Sequence, residues 1–216
     1  MLMHDYDLFA GNGMCLVITD SMGKYVSLSD AEVKSYRGDT IKSLADRIRF
    51  GEVNVSGYAR ILIHVGTNDI SNMMSSGKIK TMTIHDLLDR YNALRYTIRR
   101  RNSQAVLLWS AVLPRVNRFK LFRPYIEGIN FALEKFCSKT DGACIYIPSY
   151  SSFMVKKNSL ILRDKVNDAL FSNSDGLHLS GAGVDVLEAL FQQALSTGYL
   201  IDRVRSSRVK MLKLLV

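Results

Sequence analysis

Four short segments of this chain carry residues whose types and spacing suit hydrolysis. Ser21 lies in Ile18-Thr19-Asp20-Ser21-Met22-Gly23, directly after an apolar run. Asp175 and His178 are three residues apart in Ser174-Asp175-Gly176-Leu177-His178. That spacing lets the carboxylate fold back onto one imidazole nitrogen and hold it as N–H. The other nitrogen is then free to take a proton from a serine hydroxyl, which is a poor nucleophile near neutral pH without such a base. Gly38, in Tyr36-Arg37-Gly38-Asp39, lets a backbone N–H approach a ligand closely. Asn68, in Val65-Gly66-Thr67-Asn68-Asp69-Ile70, offers a side-chain amide. The N–H groups of Ser21 and Gly38 and the Asn68 amide would be three donors for an oxyanion.

These residues need elements that bring them together. Met14–Thr19, Ala59–Val65, Ala105–Ala111 and Ala143–Ile147 read as strands buried on both faces, with Glu32–Tyr36 as a shorter edge strand. Helical spacing joins Ile84, Leu87, Leu88, Tyr91, Leu94 and Ile98, and again Ile126, Ile129, Leu133 and Phe136. Asp39–Phe50 is a further helix. A last helix carries Val184, Leu187, Leu190, Phe191 and Leu195, with Ser180 as its N-cap. Alternation of buried strands with helices predicts a parallel sheet covered on both sides. Ligands of such sheets bind at the carboxyl ends of the strands, which places Ser21, Gly38 and Asn68 along one edge.

Singly, each segment has a plainer explanation: a helix cap for Ser21, turn chemistry for Asp175-Gly176 and for Gly66-Thr67-Asn68. Their conjunction in order is what resembles the SGNH hydrolase superfamily, also called GDSL-type esterases and lipases. Its four blocks correspond here to Ser21, Gly38, Asn68 and the Asp175/His178 pair, over residues 14 to about 195. The resemblance implies a flavodoxin-like three-layer α/β/α fold with a five-stranded parallel sheet in the order 2-1-3-4-5. It also implies ester hydrolysis without metal or cofactor, Ser21 acting as nucleophile, His178 as base and Asp175 as its partner. The first block departs from the family pattern, with Thr19 where the family has Gly and Met22 where it has Leu. A narrower resemblance is carried by His64-Val65-Gly66-Thr67-Asn68-Asp69-Ile70, Ala111-Val112-Leu113-Pro114-Arg115 and Asp175–Ser180. These look like the esterase domains in first-open-reading-frame proteins of LINE-type retrotransposons, which implies short acyl esters, including acetylated lipids, as substrates. His64 and His85 are expected to be structural.

Length and composition suit one globular domain: 216 residues, 47% hydrophobic and 23% charged. A hydrolase domain over residues 1–200 and a basic extension over 201–216 are expected. The formal charge of +9 points to acidic partners. Arg95–Arg123 holds Arg95, Arg99, Arg100, Arg101, Arg115, Arg118, Lys120 and Arg123 with no Asp or Glu, and Arg203–Lys213 is a second basic cluster. They raise an alternative function, a module that binds RNA, DNA or anionic membrane. Its test is retention of single-stranded nucleic acid at about 50 mM salt, where phosphate contacts are strong. Three cysteines without CxxC spacing fit a reducing compartment. No basic, apolar leader opens the sequence, so an intracellular location is expected. Specificity loops are expected at Asn72–Thr83, Asn117–Arg123 and Ser149–Asn173, with Phe153, Leu160 and Leu162 as walls of an acyl pocket.

Overall fold

Cys15, Val17, Leu62 and Leu108 face one side of a central sheet, whereas Leu16, Ile18, Ile61, Ile63, Leu107 and Trp109 face the other. Apolar side chains on both faces of a strand must be covered from both sides, and this period-two sorting builds three layers. The computed structural model describes residues 13–75, 83–140, 143–157 and 160–196. Its sheet consists of β1 (Cys15–Thr19), β2 (Ala31–Ser35), β3 (Arg60–His64), β4 (Val106–Ser110) and β5 (Cys144–Ile147). All pairings are parallel and the order is β2-β1-β3-β4-β5, as expected.

On the Leu16 face lie α1 (Ile41–Phe50), α3 (Ile84–Arg101) and α4 (Phe119–Ser138), which bury Leu44, Ile48, Tyr91, Leu94, Ile126 and Leu133. On the Val17 face lies α5, described over residues 181–196, with Val184, Leu187, Phe191 and Leu195 against the sheet. Full burial of each such side chain stabilises the fold by about 1.5–3 kcal/mol relative to exposure. The helix ends follow from local chemistry. Thr40 and Thr83 form capping boxes with Ser43 and Asp86, and Gly51, at φ 84°, closes α1 in the left-handed conformation. Ser180 Oγ accepts the Gly183 N–H at the start of α5.

The expected loops are partly regular structure. α4 begins at Phe119, so most of Asn117–Arg123 is its first turn and Pro124 lies inside the helix. The missing N–H of Pro124 falls in the second turn of the helix, and α4 runs through it. Ser149–Asn173 contains 3₁₀ turns at Ser149–Phe153 and Asp168–Leu170 and an antiparallel hairpin, β6 (Met154–Lys157) with β7 (Leu160–Val166). Phe153 does not wall a pocket: it is fully buried against Phe171 on the α5 side of the sheet. Asn72–Thr83 begins as the end of α2 (Thr67–Ser75). Residues 76–82, the side chains of Leu160 and Leu162, and the basic extension over 201–216 with Arg203–Lys213 lie outside the described residues. No helix among the described residues is long and apolar enough to cross a membrane.

Candidate active site

Register places the site. Thr19 at the end of β1 is paired with Ser35 at the end of β2 and with His64 at the end of β3. The three segments that follow therefore leave the sheet at one edge. After β1 the chain enters a 3₁₀ turn, Ser21–Gly23, capped by Asp20, whose carboxylate accepts the Met22 N–H at 2.9 Å. Thr19 also acts here: its hydroxyl accepts the Gly23 N–H at 3.0 Å. A Cβ on Gly23 would lie 2.2 Å from that oxygen, so Thr19 and Gly23 fit each other at this turn.

After β2, the Tyr36–Asp39 turn is closed by the Asp39 N–H on the Tyr36 carbonyl at 3.2 Å. Gly38 sits within it at φ 79°, with nothing within 4 Å of where a Cβ would project. Only glycine takes this backbone conformation freely, and the open space is where a ligand would approach. Arg47 pairs with the Asp39 carboxylate at 2.9 Å, fixing the turn from the α1 side. After β3, Gly66 turns at φ 129° into α2, and Asn68 falls in the first turn of that helix. Asn68 Nδ2 donates to the Asp39 carbonyl at 2.9 Å, which leaves its second N–H for a ligand. The Ser21 and Gly38 N–H groups make no hydrogen bond within the described residues. The edge thus presents unpaired donors on three neighbouring segments.

Asp175 and His178 reach this edge from the loop before α5. His178 Nε2 lies 3.2 Å from Ser21 Oγ, and its Nδ1 lies 2.5 Å from Asp175 Oδ2. The other Asp175 oxygen accepts the N–H groups of Leu177 at 2.8 Å and His178 at 2.9 Å. Partial burial raises the Asp175 pKa, but the bond to the His178 ring and those two N–H groups more than reverse this, to about 2. The carboxylate is therefore ionised at neutral pH and orients the ring. The loop is tied across the site by Val116 and Asn117, whose N–H groups donate to the Gly176 carbonyl at 2.8 and 3.2 Å. Gly176 itself is left-handed, at φ 59°. All five residues singled out in the sequence, Ser21, Gly38, Asn68, Asp175 and His178, stand at this edge.

The architecture has counterparts among solved structures. A mutant of an acetyl-xylooligosaccharide esterase from Geobacillus superposes with a TM-score of 0.63 at 15% identity, over 85% of this chain and 94% of that one. A member of the lipolytic G-D-S-L family from Veillonella parvula gives 0.60 at 12% identity, over 85% and 98%. The fold is that of the SGNH hydrolases. The esterase domain of a zebrafish retrotransposon protein is 21% identical over 85% and 98% of the two chains, with a TM-score of 0.45. No protein-family model and no curated protein matches this sequence.

Within the SGNH fold, some residues at the edge carried no role in the sequence reading. Asp69 is fully buried and joins three helices: it accepts the Ile41 N–H of α1 at 2.8 Å and pairs with Arg90 of α3 at 2.8 Å. Burial pushes its pKa up, against the pull of those partners. Asp20 is buried beside Ser21; burial pushes its pKa up to about 7 against the pull of the Met22 and Thr67 N–H groups. His64, buried in β3, holds Ser110 Oγ at 2.9 Å through Nδ1, and burial pushes its pKa down to about 4. It is a neutral core residue beneath the site. The Arg95–Arg123 cations make several different contacts. Arg99 donates to the Ser103, Ala105 and Ala143 carbonyls, Arg95 stacks on Phe136, Arg123 pairs with Glu127, and Arg115 belongs to the active-site edge.

Proposed function

We propose that this chain is a serine ester hydrolase that acts on short acyl esters through Ser21, His178 and Asp175. The observation that carries the reading is the contact series Ser21 Oγ, His178 Nε2, His178 Nδ1, Asp175 Oδ2, at 3.2 and 2.5 Å, beside unpaired N–H donors. Asp175 keeps the Nδ1 proton in place, so Nε2 accepts the Ser21 proton as Oγ bonds to the ester carbonyl carbon. The carbonyl oxygen becomes an oxyanion between the Ser21 N–H, the Gly38 N–H and the free Asn68 amide N–H. His178 returns the proton to the leaving alcohol, which breaks the ester bond and leaves an acyl group on Ser21. A water molecule, deprotonated by His178, then releases the acid and restores the serine.

The SGNH fold supports hydrolysis, and the acetyl-xylooligosaccharide esterase among its counterparts supports a small acyl group. A setting within a retrotransposon protein rests on the three sequence segments that suggested it. A TM-score of 0.45 to the zebrafish domain adds no weight. The test is a p-nitrophenyl ester series of increasing acyl length on the wild type and Ser21→Ala. Turnover is expected to be fastest at acetate and to vanish in Ser21→Ala. An unchanged rate in that variant would overturn the reading.

A further inference from the structure

We infer that this site selects esters bearing a negative charge, a carboxylate or phosphate near the scissile bond, and that Arg115 binds that charge. The inference rests on the hydrolase reading for its location and on Arg115 for its content.

Arg115 stands between the two walls of the site. Its Nη1 donates to Ser71 Oγ at 3.0 Å, on α2 one turn beyond Asn68. The next two residues hold the Asp175/His178 loop through the Gly176 carbonyl. The backbone carrying Arg115 is fixed: Val112 exchanges two hydrogen bonds with the Asn130 side chain, at 2.8 and 2.9 Å, and Ala111 N–H bonds Ile147 O at 3.0 Å. The guanidinium carbon lies 4.1 Å from the centre of the Phe122 ring. The guanidinium is therefore packed over that ring.

Beyond the Nη1 bond to Ser71, the Arg115 donors make no hydrogen bond among the described residues. The residue is 9% exposed, Nε has no partner, and no carboxylate pairs with the group among the described residues. Arg90 and Arg47, which also border the site, each have a carboxylate. The charges that act on Arg115 are Asp175, already bonded to His178, and Arg118, a like charge on the same segment; burial lowers its pKa first, and Arg118 adds to that. A guanidinium taken out of water without a counter-ion is unfavourable, and its planar fork matches a carboxylate or phosphate. A structural strut needs only the Ser71 bond and the Phe122 stacking. The free edge of the plane is what a ligand anion would complete.

The measurement compares 3-acetoxybenzoate with 3-acetoxybenzamide, acetyl esters of similar shape that differ in charge. Wild type is expected to hydrolyse the anion with a kcat/KM about tenfold higher or more, mainly through KM, as a charge-assisted hydrogen bond implies. Arg115→Gln should bring the ratio close to one, and Arg115→Lys should keep part of it. A strut would lower both substrates alike and leave the ratio in place. If Arg115→Gln does not fold, the wild-type ratio and its decline with added salt carry the test. Binding to Ser21→Ala by calorimetry repeats the comparison without turnover, so it stands even if ester hydrolysis fails. Equal binding and equal kcat/KM for the two esters would overturn the inference while leaving the hydrolase reading intact. An acetylated lysophosphatidic acid in neutral phosphatidylcholine vesicles, set against acetylated glycerol phosphate in solution, separates a lipid source of the charge from a soluble one.

Discussion

Asn68 shows how a single side chain at this edge is prepared for its role. Its amide is already committed at one N–H to the Asp39 carbonyl, so the second N–H has a fixed direction before any ligand arrives. A donor held in this way stabilises charge that develops in the transition state more than it stabilises the ground state. Asn68→Ala should therefore lower kcat by about 10²–10³-fold with little change in KM. A rise in KM at constant kcat would assign the residue to substrate binding instead. Asp20 gives a second prediction. Its pKa is about 7 when folded against an ordinary value of 3.8, so between those pH values the folded chain holds a proton that the unfolded chain has released. Stability contributed by this group consequently falls as pH rises through that window. Asp20→Asn keeps an oxygen for the Met22 N–H and removes the titration. Its stability relative to wild type in urea melts should be greater at pH 8 than at pH 5, and an equal difference at both would refute the shift.

Among the elements, the strand ends and the turns after them do the positioning. β1, β2 and β3 end in register, and Gly66, the first residue of the bend after Val65, has no alternative. Its φ is 129°, and a Cβ there would lie 2.4 Å from Tyr91 Oη, which donates to the Val65 carbonyl. Gly66→Ala combines backbone strain with overpacking, and about 3 kcal/mol of lost stability is expected in chemical denaturation. A loss under about 1 kcal/mol would show that α2 shifts freely. The strands were legible because residues buried on both faces read as unbroken apolar runs such as Ile61-Leu62-Ile63. The hairpin β6–β7 was not, because Lys156, Lys157, Arg163, Asp164 and Lys165 interrupt any run and leave no alternation to read.

For the whole molecule, what the sequence disclosed and what it hid follow from distance along the chain. Ser21 and His178 are 157 residues apart yet meet at 3.2 Å; the rule for parallel sheets places Ser21 with Gly38 and Asn68, and the family resemblance adds His178. Arg115 lay in plain view within the basic run, but counting charge cannot separate an unpaired buried cation from Arg99, which caps carbonyls, or Arg123, which pairs with Glu127. Asp69 is next to Asn68 in the chain, yet its link to α1 and α3 depends on packing between helices that no local pattern records. The central claim is that these distant segments make Ser21 a nucleophile. The most direct measurement is intact-mass and peptide analysis after treatment with a fluorophosphonate. One adduct per chain on Ser21, lost in His178→Ala, is the predicted result; an unlabelled wild type, or label placed on another residue, would contradict it.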